Sequence, residues 1–227
     1  MTTPTSGGNT GDTTTNNKTF REIKKKQDDL VLAATDLAAI VVPYGKTKDW
    51  NVVDGSTGNL IAPPSGSLSL GELQKAAGAE LSPDMSTESI MGYGSRAARR
   101  VFVTEEGMTV NLTVQEVTKA ALQMFHSINN EDIMAGKAVT RMTKRASSSI
   151  KHYGLVLIAK DLAKNGEIFP YWVFPKVAIT NKGSQSLSDS AEMAMPLTFT
   201  IFEDDGVQYE LGFGGPGWPE LAKKAGF

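Results

Sequence analysis

Histidine and cysteine supply many metal ligands, nucleophiles and general bases, and this sequence offers few of them. Cysteine is absent, and the histidines are His126 and His152. Neither has a second ligand at the spacing that would let a helix or hairpin hold a metal ion. His126 closes an amphipathic segment, where a cation suits a helix end, and His152 opens an apolar run. The sequence therefore predicts no catalytic residue, no metal site and no cofactor site.

A glycine-rich segment, GFGGPG at residues 212–217, is a second candidate because it follows a predicted strand. Phosphate-binding loops lie between a strand and a helix and turn backbone N–H groups toward the anion. Here Pro216 lacks that N–H, and no Lys-Ser or Lys-Thr pair follows. We therefore predict a flexible turn at the start of a C-terminal tail, residues 214–227.

A basic segment without acidic residues is the third candidate, comprising Lys137, Arg141, Lys144, Arg145 and Lys151. Helical spacing would put residues 141, 144 and 145 on one face. Such a face can simply be solvated, or it can contact an acidic surface such as the FEDDG turn, residues 202–206, of a neighbouring copy. Nucleic-acid binding is the least favoured interpretation, because no aromatic residues interleave with the basic ones.

Composition narrows the class of protein. The chain has 227 residues, of which 40% are hydrophobic and 21% charged, so it can bury a sizeable core. A net charge of −2 gives no general reason to bind nucleic acid, and the absence of cysteine fits a reducing compartment. No signal-peptide pattern is evident, and the apolar run GLVLIA, residues 154–159, is too short to cross a bilayer. We expect a soluble protein made in the cytoplasm, with no enzymatic activity and no membrane partner.

Polar and apolar segments alternate along the first two thirds of the chain. Residues 1–17 consist almost entirely of Thr, Gly, Asn and Ser, which predicts a disordered N-terminal arm over residues 1–20. Residues 44–70 are rich in Gly, Pro and Ser and predict a long protruding loop that contains a hairpin. Residues 108–125 change from alternating to helical spacing, so a strand ends near residues 115–116 and a helix spans residues 117–127. That helix is expected to turn Val117, Ala121 and Met124 inward.

The last third is β in character. Runs of β-branched and aromatic residues bounded by turn signals predict strands within residues 152–160, 167–179, 192–204 and 207–213. The whole pattern predicts a mainly β (α+β) fold, an antiparallel β-sandwich or barrel with one flanking helix. A disordered arm and a long loop bury surface only when another chain arrives, which favours a self-assembling or binding protein.

A combination of motifs spans residues 81–125. It begins with SPD and a Tyr93-Gly94 pair, continues through the arginine-containing strand RRVFVTEE at 99–106, and ends in an alternating strand and a helix. In these motifs, and in FPKVAIT (174–180) and PLTFTIFEDD (196–205), the chain resembles the major tail tube proteins of long-tailed, siphovirus-type bacteriophages, especially those of actinobacterial hosts.

The resemblance implies a tail-tube β-sandwich domain over residues 21–213. Copies of such proteins form hexameric rings that stack into a tube, and residues 44–70 would be the loop that reaches the next ring. The implied partners are the chain itself, the tape-measure protein in the lumen, the tail tip and tail terminator proteins, and genomic DNA that passes without sequence-specific binding. The implied location is the virion tail, with assembly in the host cytoplasm.

Two alternatives stay open at this point. One is a monomeric β-sandwich that binds a partner through residues 44–70. The other is the related tube protein of a secretion system, although those chains are usually shorter and lack such an arm and loop.

Overall fold

The computed structural model describes residues 18–146, 149–164 and 166–227. The arm predicted over residues 1–20 therefore lies, up to residue 17, outside the described residues. Its last residues lead into a short helix that is capped at its N-terminus, since the Glu22 N–H donates to Thr19 Oγ1 and the Thr19 N–H donates to the Glu22 carboxylate.

The described residues form ten strands and three α-helices. The strands are β1 Asp36–Pro43, β2 Leu68–Ser69, β3 Ala79–Met91, β4 Ala98–Val114, β5 Ile133–Ala135, β6 Thr140–Met142, β7 Tyr153–Ala163, β8 Gly166–Lys182, β9 Met195–Phe202 and β10 Glu210–Gly214. The helices are α1 Phe20–Lys24, α2 Lys119–His126 and α3 Trp218–Ala225. The strands predicted in the last third of the chain correspond to β7, β8, β9 and β10.

In the described part of the chain, eight strands form one antiparallel sheet in the order β2-β1-β7-β8-β9-β4-β3, with β10 added to β8. Strand β8 is long enough to pair with two strands along the same edge. Its residues 169–173 pair with β10, and its residues 176–182 pair with β9. Pro175, which has no N–H to donate, lies where this change of partner occurs and beside a register shift against β7.

A short segment, residues 68–74, closes the sheet on itself. Strand β2 pairs with β1, and the Leu70 N–H donates to the Ala39 carbonyl of β1 (3.0 Å). Next along the chain, the Gln74 N–H donates to the Thr113 carbonyl of β4 (2.9 Å). Because one segment bonds to both β1 and β4, the strands between them wrap around a common interior.

That interior is the main hydrophobic core. Strand β9, MPLTFTIF, buries every second residue, as expected for a strand with one face inward. Phe174 and Phe199 are its largest fully buried side chains, Leu70 enters from the closing segment, and Ala121 and Met124 of α2 cover it. The chain is mainly β, an antiparallel β-sandwich with a flanking helix, which confirms the predicted fold class.

The strand-to-helix change within residues 108–125 also occurs as predicted. Strand β4 ends at Val114, and α2 begins at Lys119 because the Thr118 Oγ1 accepts the Ala121 N–H (3.1 Å). Ala121 and Met124 are buried, but Val117 precedes the helix and is exposed. The prediction that Val117 faces the core is wrong, since the helix starts after it.

Residues 44–70 contain the predicted hairpin, but it folds back onto the body instead of protruding. The Ile61 N–H donates to the Val52 carbonyl (2.9 Å), and Trp50 and Val52 bury their side chains against the outer face of β1, β7 and β8. The physical reason is the hydrophobic gain from covering a second apolar layer on this sheet. Whether the segment also contacts another ring stays a prediction.

The C-terminal tail, residues 214–227, is also packed against the body. Gly215 has a φ of 105°, and a Cβ there would lie 2.3 Å from the Glu167 carbonyl oxygen. This close approach lets α3 follow, with Leu221 buried and Trp218 stacked on Phe213 at 4.6 Å. The flexible turn predicted for residues 212–217 is instead a tight connection between β10 and α3.

Candidate assembly interface

The hairpin formed by β3 and β4 extends beyond the rest of the sheet. The two strands pair from Ala79 to Met91, but β4 pairs with β9 only over residues 109–114. Residues 84–107, which we call the ribbon, therefore have no third strand beside them among the described residues. Apart from Gly92, every residue from 84 to 106 is exposed.

A β-bulge at Thr104 determines which side chains share a face of the ribbon. Val110 of β4 points into the core, and a regular strand would turn Val101 and Val103 to the opposite face, because side chains alternate. The register with β3 shifts by one residue at Thr104, whose hydroxyl donates to the Ser86 carbonyl (3.1 Å). The bulge therefore returns Val101 and Val103 to the face that continues the core.

The two faces of the ribbon differ in polarity. Thr87, Ser89 and Glu106 share the face that continues the core with four apolar side chains, each more than half exposed: Met85, Met91, Val101 and Val103. The opposite face carries charged residues together with two apolar ones: Asp84, Glu88, Ile90, Arg100, Phe102 and Glu105. The ribbon thus carries an apolar face that nothing in the described chain covers.

Charge is also segregated along the length of the ribbon. The half nearest the body, which we call the root, carries four acidic residues and no basic one: Asp84, Glu88, Glu105 and Glu106. The distal end, which we call the tip, carries three arginines and no acidic residue: Arg96, Arg99 and Arg100. Within the described residues, none of these seven side chains forms an ion pair.

The outer edge of β3 is open. Strand β3 pairs with β4 on one side, and among the described residues no strand pairs with its other side. Pro83 interrupts this edge near the body, as edge strands tolerate, but no proline follows it in β3. Residues 84–91 therefore present unpaired backbone N–H and C=O groups beside the apolar face.

Most of this chain matches a known protein family. A family model described as phage tail tube protein matches residues 60–211, more than half of the chain. The chain belongs to the phage tail tube protein family. The match includes the ribbon and the strands from β2 to β9, so the chain is a structural protein of a phage tail. The narrower expectation of a long-tailed phage with an actinobacterial host stays a prediction.

A more distant likeness appears among solved structures. One chain of the cryo-EM structure of the anti-feeding prophage (AFP) baseplate, 6-fold symmetrised, is 10% identical to this tail tube family member, with a TM-score of 0.42. The alignment covers 82% of this chain and 97% of that chain. No curated protein sequence matches significantly.

The structure places the histidines apart from each other. His126 ends α2 against Phe125, whereas His152 precedes β7 and packs its ring edge-on against Phe202 at 5.4 Å. The described residues contain no cluster of His, Asp and Glu side chains that could hold a metal ion. They also include no helix with the length and apolar character needed to cross a bilayer.

The basic segment is not a helix, so the predicted helical face over residues 141–145 is wrong. Arg141 lies in β6, and Arg145 follows in a non-helical segment, where its Nε donates to Asp132 (2.6 Å). Lys151 donates to Asn129 (2.5 Å). Lys144 donates to the Ser127 carbonyl (3.4 Å), so three of the basic residues have partners in their own chain. Asp132 is the buried acid that Arg145 neutralises.

The FEDDG turn also has partners within the chain. Asp204 accepts hydrogen bonds from the Tyr44 hydroxyl (2.8 Å) and Lys48 Nζ (3.2 Å), and Lys48 also pairs with Asp205. The Tyr44 hydrogen bond, with help from Lys48, lowers the pKa of Asp204, and the hydrogen bonds to Asp205 and Asp204 raise the pKa of Lys48. These contacts connect residues 44–48 to the turn after β9. Because Lys48 already neutralises part of the acidic charge of the turn, less of it is available to a neighbouring copy.

Sequence reasoning missed the ribbon as a functional element. The sequence around Gly92 and Gly94 does not show by itself that these glycines form the turn of one hairpin. The available signal was the apolar residues Met85, Met91, Val101 and Val103 on both sides of that turn. Their shared face is hidden in the sequence, because the bulge at Thr104 changes the alternation.

Proposed function

We propose that copies of this chain assemble into hexameric rings that stack into the tail tube, the conduit through which phage DNA is delivered into the host. Family membership supports a tail structural role. The observation that carries the assembly step is the ribbon, whose apolar face and open edge lack a partner among the described residues.

The energetics of the ribbon favour an intermolecular partner. A two-stranded hairpin with both faces in water is marginally stable on its own. Met85, Met91, Val101 and Val103 still expose a little over half of their surface, so covering each of them gains roughly half of the 1.5–3 kcal/mol of complete burial. A neighbouring copy that covers all four therefore gains several kcal/mol. Pairing along the open edge of β3 would also satisfy its backbone groups, and ring closure would leave no edge exposed.

The other parts of the proposal follow from tube formation. The tape-measure protein would occupy the lumen during assembly, the tail tip and terminator proteins would bind the ends of the tube, and DNA would pass without sequence-specific contacts. The assembled chain would be part of the virion, after assembly in the host cytoplasm, and would have no enzymatic role. Exposed Tyr44, Leu60 and Ile61 give residues 44–70 a surface for contact with the next ring.

The test replaces the apolar face of the ribbon with charge. We expect the Val101→Asp/Val103→Asp variant to fold like the wild type by circular dichroism, because both positions are exposed in the monomer. We also expect it to form no rings or tubes in negative-stain micrographs under conditions where the wild type does, because a charged face cannot be buried without a partner.

The matched control is Val117→Asp/Val139→Asp, which makes the same change at two exposed valines outside the ribbon. It should assemble like the wild type. Tubes of normal width from the ribbon variant would contradict the proposed interface. A wild-type chain that stays monomeric at all concentrations, even with a nucleating tail complex present, would contradict tube formation and favour a monomeric binding module.

A further inference from the structure

Within the part of the chain that the structure describes, the segregated charges of the ribbon form no ion pair. The centre of the root lies near the Met85–Glu106 cross-strand pair, and the tip begins at the Ile90–Arg100 pair. These pairs are five steps apart along β3, a separation of about 17 Å at ~3.3 Å per residue. Asp84, Glu105 and Glu106 are therefore too far from the tip to be neutralised within one ribbon, whereas Glu88 lies only two residues along β3 from the Ile90–Arg100 pair.

We propose that ribbons join head to tail, with the arginine tip of one copy seated against the acidic root of another copy. The proposal rests on the proposed function, since it names how copies of the chain recognise each other. Charge complementarity identifies the occupant: the root offers carboxylates without a cationic partner, and the tip offers guanidinium groups without an acidic one. Arginine favours such contacts because its planar group can bond both oxygens of a carboxylate.

The local backbone holds the arginines at the end of the ribbon. A second register shift lies between Ile90 and Met91 and leaves Arg99 without a cross-strand partner. The Arg99 side chain folds over Gly92, where a Cβ would lie 2.7 Å from its Nε. Gly92 thus leaves room for a guanidinium group at the tip.

Head-to-tail contact differs from the other ways in which two ribbons can meet. Side by side in the same direction, two ribbons place like charges level with each other, which is unfavourable. Side by side in opposite directions, they form a closed pair that cannot grow. A head-to-tail contact is heterologous, so it can close into a ring or continue along a tube, as a tail tube requires.

Cysteine cross-linking tests the contact directly, because the chain has no cysteine of its own. Ser95 at the tip and Ser86 at the root are both exposed. With a short bismaleimide, the Ser95→Cys/Ser86→Cys double variant should give a ladder of trimers and larger species. Each single variant should stay at least tenfold less cross-linked. Dimers alone from the double variant, or efficient dimers from Ser95→Cys alone, would overturn the proposal.

A second experiment reverses the charge of the tip or the root in the double-cysteine variant and measures the yield of cross-linked species. Reversing the tip (R96E/R99E/R100E) or the root (D84K/E105K/E106K) should lower the ladder yield at least tenfold, and combining both reversals should restore it. The control K119E/K137E/K223E makes the same change in formal charge as the tip reversal, at exposed residues outside the ribbon, and should keep the yield. Unchanged yield after reversal of one end, or no recovery in a folded combined variant, would overturn the proposal.

The outcomes separate this proposal from the proposed function. Tubes in micrographs without tip-to-root cross-links would leave tube formation intact and reject head-to-tail ribbons. Tip-to-root ladders without tubes would support the contact and count against the tube.

Discussion

Strand β4 passes through two environments that differ completely within one chain. From Val110 to Val114 every second side chain is fully buried between β3 and β9, whereas the residues before Gly107 are exposed. The two halves are similar in β propensity, since both are rich in Val and Thr. The difference shows that strand formation here does not depend on burial within the monomer. It fits the proposal that the exposed half of β4 contacts another copy.

The body is closed, and the ribbon is open. In the body, residues 68–74 join β1 to β4, and the loop from residue 44 to 61 covers the outer face of the sheet. Among the described residues, no segment covers the ribbon or pairs with its outer edge. If the ribbon is the assembly surface, as we propose, folding and assembly use different surfaces of the chain, which suits ordered growth.

Replacing one phenylalanine with alanine in the body and one in the ribbon should give the largest contrast in the free energy of unfolding. Phe199 is fully buried in the core, so Phe199→Ala should lower the free energy of unfolding of the monomer by about 3–5 kcal/mol. Phe102 lies on the ribbon and is 38% exposed, so Phe102→Ala should change it by less than about 1 kcal/mol. Urea denaturation of dilute protein measures both. Equal losses would mean that the ribbon is folded onto the body in solution.

Helix α2 allows a second contrast, within the body itself. Ala121→Asp places a carboxylate in the core without a partner and should destabilise the monomer by about 3 kcal/mol. Lys119→Asp, at the exposed first position of the helix, should be neutral within about 0.5 kcal/mol because an acid suits a helix N-terminus. Thermal unfolding followed by circular dichroism compares them. Similar melting temperatures would show that α2 does not cover the core as described.

The sequence predicted the body better than the ribbon, for physical reasons. Residues 195–202 show an alternating pattern because every second side chain is buried inside the same chain. Such burial, like the turns that bound β7 and β8, leaves a pattern in the local sequence. The prediction that residues 44–70 protrude overlooked Trp50 and Val52, whose burial depends on a sheet face formed by distant strands. Basic residues 141–145 have helical spacing by coincidence, since Arg141 pairs in a hairpin.

The ribbon was harder to predict because its features arise from pairing. Val101 and Val103 are an odd number of residues from Val110, so regular alternation would put them on the face opposite to Val110. The register shift at Thr104 returns them to the face that continues the core. The separation of acidic root from arginine tip also appears only when β3 and β4 are aligned. In the sequence, Arg99 and Arg100 lie five or six positions from Glu105 and give the impression of a mixed charged strand.

Hydrogen exchange of the ribbon amides, in dilute monomer and in assembled protein, tests most directly the claim that the ribbon is the assembly surface. We predict that the outward-facing amides of residues 84–91, which are not bonded to β4, exchange rapidly in the monomer and are protected at least 100-fold on assembly. Amides of β7 and β9 should be protected in both states, because they are already bonded on both sides within the chain. Ribbon amides that exchange equally fast in monomer and tube would contradict this account.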